Sequence, residues 1–157
     1  MLRGRWGGST GRPYFEAILY IPSQDISAEL SFLLDTGADT SYLMPGDAKE
    51  IGLDRSILSD GYFAKGIGGE MKSYRLPALL VFEDDENVYV YEVDLGVAAE
   101  ADGLIDTPSL LGRDVINQWD LRYNRSASVI AADPQHASVR MPLPRRSGPR
   151  PRSLERD

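Results

Sequence analysis

The chain contains no cysteine and a single histidine, His136. Disulfides, thiolate nucleophiles and cysteine-rich zinc sites are therefore excluded. A Ser-His pair or a His-rich metal centre in the body of the chain is excluded as well, because His136 lies close to the C-terminus. Acid–base chemistry in the body must come from carboxylates, Lys or Tyr. No run reaches the roughly 18 apolar residues of a membrane span. Met1 to Pro13 is basic and Gly-rich and lacks the apolar stretch of a secretory signal. These features predict a soluble, cytoplasmic protein without a membrane partner. Basic residues are scarce in most of the chain: the net charge is −7. Arg140, Arg145, Arg146, Arg150, Arg152 and Arg156 face only Asp133, Glu155 and Asp157 within residues 133–157, giving that tail +3 and the rest −10. A body so acidic does not suit phosphate binding, so no nucleic acid is expected for the core.

What is present is a chain of 157 residues, enough for one domain, with 10 prolines and 15 glycines. Residues 1–12, with Gly4, Gly7, Gly8 and Gly11, read as a flexible arm. Tyr14 to Ile21 alternates and stops at Pro22, as a strand does. Ala28 to Leu34 carries Leu30, Phe32, Leu33 and Leu34, so it is apolar on both faces and predicted to be central. Ser41 to Met44 resumes a short strand. Pro45 suits the first turn of a helix reaching about Ile51, and Gly52 its end. Gly61 to Lys65 and Ser73 to Phe82 read as strands around the turn Gly66-Ile67-Gly68-Gly69, with Pro77 marking an edge or a bulge. Glu83 to Asn87 is an acidic turn without the ligand spacing of a calcium loop. Val88 to Val97 returns as a strand. Gly112 to Gln118 is a predicted helix, followed by a hairpin of Trp119–Tyr123 and Ser128–Ala132, with Trp119 in the core. From Asp133 onward the Pro- and Arg-rich sequence predicts a disordered or extended tail.

The chemistry concentrates at Leu33-Leu34-Asp35-Thr36-Gly37. An apolar strand delivers an acid at its end. Gly37 permits a tight turn that brings backbone amides close to the acid, and the Thr36 hydroxyl can both donate and accept. Peptide hydrolysis by carboxylates alone takes two of them, one to accept a proton from water and one to protonate the carbonyl oxygen. Carboxylates held that close share one proton. The sequence holds one such loop. Asp106-Thr107-Pro108 is no second copy, because Pro replaces the glycine.

The segment Phe32-Leu33-Leu34-Asp35-Thr36-Gly37-Ala38-Asp39-Thr40 resembles the active-site loop of the retropepsins, the retroviral-type aspartic proteases. Gly66-Ile67-Gly68-Gly69 is similar to the tip of their flap. Leu110-Leu111-Gly112-Arg113-Asp114 is similar to the segment that starts their C-terminal helix. The resemblance spans residues 13–132. It implies an all-β, retropepsin-like half-barrel with one short C-terminal helix, working as a homodimer without metal or cofactor. It implies Asp35 as the catalytic carboxylate, one from each subunit, supported by Thr36, Gly37 and Ala38. Asp39 and Arg113 are implied as a structural ion pair. Gly66, Ile67, Gly68 and Gly69 are implied to close over a polypeptide substrate. Glu70 departs from the more apolar flaps of viral members. Ala38 stands where pepsin-like enzymes commonly carry Ser or Thr, a difference that points to a mildly acidic to near-neutral working range.

The activity so implied is that of an aspartic endopeptidase. Two other classes fit the same sequence: a catalytically silent dimer of this fold that binds proteins, and a scaffold whose basic tail carries the function.

Overall fold

The computed structural model describes residues 1–144. Along the chain, β1 (Leu2–Arg3), β2 (Arg5–Gly7), β3 (Arg12–Ile21), β4 (Ile26–Leu34) and β5 (Tyr42–Leu43) precede the short helix α1 (Pro45–Glu50). Then follow β6 (Tyr62–Gly66), β7 (Gly69–Glu83), β8 (Asn87–Ala98), β9 (Leu110–Leu111) and helix α2 (Arg113–Ile116). The last strands are β10 (Trp119–Asn124), β11 (Val129–Pro134) and β12 (Val139–Pro142). The protein is mostly β, as the alternating apolar pattern predicts. None of the described helices is long and apolar enough to cross a membrane.

The main sheet runs β8-β5-β9-β4-β3-β7, and the long β7–β8 hairpin joins its two ends into a closed ring. Period-two burial explains why. In β3, Phe15, Ala17, Leu19 and Ile21 point inward. In β8, Tyr89, Tyr91, Leu95 and Val97 do. Trp119 seals one end of this core. Its ring lies 5.1 Å from Phe15 and 5.0 Å from Phe82, in tilted and edge-on contacts. Its indole N–H donates to Tyr91 Oη at 2.8 Å, and Tyr91 donates onward to the carbonyl of His136 at 2.9 Å. Both buried polar groups are thereby satisfied.

Pro77 sits in β7 opposite Asp94 of β8, while β3 meets β7 only from Leu79 to Val81. Its missing N–H therefore costs no bond to β3. Helix α2 is four residues long, shorter than the expected span from Gly112 to Gln118.

Two boundaries differ from the expectation. Residues 1–12 are not a flexible arm. Leu2 is buried, β1 pairs with β11, and β2 pairs with β3. Arg5 donates to Glu16 at 2.7 Å and to Ser31 at 2.8 Å, fastening the segment to the sheet. Beyond Asp133 the described chain is extended, one of the two expected forms, and it is paired into the sheets rather than a free tail. β11 runs to Pro134, and β12 adds to β8 with Val139 opposite Val90. The expectation for residues 145–157 lies outside the described residues.

Candidate active site

Asp35 follows directly on β4. Its strand is held on both sides, by β3 and by the parallel partner β9, where Leu33 and Leu34 meet Leu110 and Leu111. The ladder continues past the strand's end, since Asp35 N–H donates to the Leu111 carbonyl at 3.0 Å. The chain then turns sharply. Ala38 N–H donates to the Asp35 carbonyl at 3.2 Å, and Gly37 N–H donates to the Asp35 carboxylate at 2.9 Å. The carboxylate is thus aimed by its own loop. Asp35 is half-buried, whereas Thr36 and Gly37 are exposed. The Thr36 hydroxyl forms no hydrogen bond among the described residues.

The frame behind the loop comes from the segment around Gly112. Arg113 N–H donates to the Ala38 carbonyl at 2.9 Å. Arg113 Nη2 contacts the Asp39 carboxylate, so these two residues do meet. Both side chains are solvent-exposed, so the pair contributes little stability. The stronger brace is buried. Ser41 donates its N–H and its hydroxyl to the two oxygens of Asp114, at 2.9 and 2.8 Å. The same hydroxyl accepts from Gly112 N–H at 3.0 Å. A β-carbon on Gly112 would fall 2.4 Å from the Thr40 carbonyl, so only glycine allows this approach. A second buried hydroxyl, that of Ser109, donates to Asp47 at 2.6 Å and accepts from Met44 N–H at 3.0 Å. It ties β9 to the start of α1.

Ser41, Ser109 and Asp47 carry no motif in the sequence, and Asp114 stands there only as the end of Leu110-Leu111-Gly112-Arg113-Asp114. No local pattern marks these hydroxyls, since their carboxylates lie 73 and 62 positions away.

Gly66, Ile67, Gly68 and Gly69 form the tip of the β6–β7 hairpin. Gly66 pairs with Gly69, leaving a two-residue connection. Gly69 has φ of 113°, a region that side chains with a β-carbon avoid. Ile67 is fully exposed. Glu70 pairs across the hairpin with Lys65, at 3.8 Å. These two lie on the exposed face with Phe63 and Lys72. Ala64 and Met71 lie on the opposite, half-buried face. The departure at Glu70 therefore leaves the inner face of the hairpin apolar.

Clefts of about 600 and 550 Å³ open around Asp47, Glu50 and Pro108. Neither is lined by Asp35.

No protein-family model and no curated protein matches the sequence. Solved structures do match. A retropepsin-like aspartic protease from Rickettsia conorii superposes with a TM-score of 0.52 at 19% identity, over 81% of this chain and 94% of that one. The EIAV protease complexed with the inhibitor HBY-793 gives a TM-score of 0.46 at 22% identity, over 71% and 90% of the respective chains. The likeness to the Rickettsia protein shows a retropepsin-like fold.

Proposed function

We propose that this chain, with its retropepsin-like fold, is one subunit of a homodimeric aspartic endopeptidase. The observation that carries the reading is the Asp35 loop. A carboxylate is held by the loop's own amide and braced from behind, half-buried beside the exposed Thr36 and Gly37, with no second loop of its kind in the chain. Two-fold pairing of copies supplies the missing acid, since symmetry sets Asp35 opposite itself. The exposed, unpaired Thr36 hydroxyl beside it suits a contact across the same axis.

In the proposed reaction the ionised Asp35 takes a proton from a water molecule. The water oxygen bonds to the scissile carbonyl carbon, and the protonated Asp35 of the other copy gives its proton to the carbonyl oxygen. Collapse of the tetrahedral intermediate breaks the C–N bond, and the amine leaves with a proton from the dyad. A polypeptide substrate lies extended between the copies and hydrogen-bonds as an added strand. Gly66 to Gly69 close over it, with Ala64 and Met71 turned toward it.

The test is digestion of a complex peptide library by the wild type and by Asp35→Asn, together with sedimentation at the assay concentration. Cleavage by the wild type alone, from a dimer, supports the reading. An active monomer, or equal cleavage by both proteins, overturns it.

A further inference from the structure

The β6–β7 hairpin is gripped at its root and free at its tip. Tyr62, in the first hairpin strand, has its hydroxyl 3.1 Å from that of Tyr42. Tyr42 opens β5, immediately after Ser41 and the braced loop that carries Asp35. The Tyr42 ring lies against Gly96 of β8. A β-carbon there would fall 2.4 to 2.9 Å from the ring carbons, so the glycine makes room for the ring that reaches Tyr62. From the other side, the Arg75 guanidinium stacks 4.7 Å from the centre of the Tyr62 ring and is held by Asp94 at 3.3 Å. Tyr62 is thus fixed by its hydroxyl and by its face. Beyond it, Phe63 is 64% exposed and Ile67 fully so, and the Lys65–Glu70 pair links the hairpin only to itself.

We propose that the Tyr42–Tyr62 hydroxyl pair is the anchor about which this hairpin moves, a positioning pair that sets its height over Asp35 and so its closure on a polypeptide. The proposal rests on the peptidase reading for its consequence in catalysis, and on the hairpin's geometry alone for its consequence in motion. Burial, then the hydrogen bond shared with Tyr42, pushes the Tyr62 hydroxyl up to about 12. The Tyr62 hydroxyl therefore stays protonated throughout the range in which a carboxylate dyad works.

The experiment compares Tyr42→Phe, Tyr62→Phe and the double variant with the wild type in two measurements: amide hydrogen exchange in the intact protein and steady-state cleavage of a peptide. Each single change is expected to speed exchange across residues 63–72 about fivefold, the effect of losing one hydrogen bond. Amides of β3 and β8 that open independently of the hairpin should be unaffected, and the thermal midpoint should fall by no more than a few degrees. KM should rise by a similar factor with kcat nearly constant, and the double variant should go no further than either single one. Unchanged exchange at the hairpin in both single variants overturns the proposal. So does acceleration spread evenly over the protein, which marks a merely structural contact. Exchange needs no turnover, so a wild type that cleaves nothing sinks the peptidase reading while the exchange data still decide on the anchor.

Discussion

Ser41 gives both its amide and its hydroxyl to one carboxylate, that of Asp114, from 73 positions away in the chain. This buried link fixes the end of the Asp35 loop to the start of α2. The exposed Asp39–Arg113 pair, more conspicuous in sequence, joins the same two segments with much less at stake.

Ser41→Ala should therefore destabilise the fold clearly. It strands the buried Gly112 N–H and leaves Asp114 Oδ1 with the Val115 N–H alone, at a cost of about 1–3 kcal/mol. Arg113→Ala should cost less than about 1 kcal/mol. Denaturant unfolding of the two variants checks the order. A larger loss for Arg113→Ala would contradict the assignment of the brace.

Gly112→Ala should be among the most damaging single changes in the protein. Its new methyl meets main-chain atoms, the Thr40 carbonyl carbon and oxygen at 2.4 Å and Ser41 N at 2.9 Å. No side chain can swing aside to relieve this. Losses of about 3 kcal/mol or more, or failure to fold, are expected. A variant as stable as the wild type in thermal melts would refute the packing.

Asp35→Asn should melt like the wild type, because the amide oxygen can still accept from Gly37 N–H, as the carboxylate does at 2.9 Å. Yet it should poison an active partner. Equal amounts of wild type and variant, allowed to exchange subunits, should show about a quarter of the activity of the same total amount of wild type if both acids are required and pairing is random. Activity falling only to one half would mean that each copy acts alone.

Asp84 makes stability depend on pH at the acid end. Burial raises its carboxyl, but four donors outweigh that: the Met1 amine, the Glu86 and Asn87 amides and the Tyr89 hydroxyl. They hold it at about 2, below its ordinary 3.8. A carboxyl lowered on folding contributes stability that is present in full above its unfolded value and lost as pH falls toward the folded one. The contribution is about 2 kcal/mol. Asp84→Asn should therefore be less stable than the wild type at neutral pH by about that amount, with the gap closing between about pH 4 and pH 2. Urea midpoints measured across this window read the difference, and a gap independent of pH would rule out the linkage.

Much of this architecture is legible in the sequence, because period-two burial is a local property. The β3 and β8 alternations, the Gly66–Gly69 turn and the closing hairpin from Trp119 all follow from it. The two ends were misread for a physical reason. Glycines 4 and 7 suggest a loose arm, but a β-carbon on Gly4 would fall 2.8 Å from the Tyr14 carbonyl, and one on Gly7 would meet Arg5 and Tyr14. Those glycines allow close packing rather than freedom. β12 was hidden by its brevity and its exposure, since a four-residue edge strand with no buried side chain carries no apolar signal. At the site, Asp35, Gly37 and the hairpin tip were readable as motifs. Ser41 and Ser109 were not, because a buried hydroxyl declares itself only once its distant carboxylate is known.

The closed ring also has a bearing on the order of events as the chain is made. The β7–β8 hairpin forms from neighbouring residues. The pairing of Leu33 with Leu110 must bridge about half of the chain, and contacts of that kind form late. A nascent polypeptide displays Asp35 well before Ser109 to Asp114 have been translated. The acid thus waits, unframed, until that segment has been made.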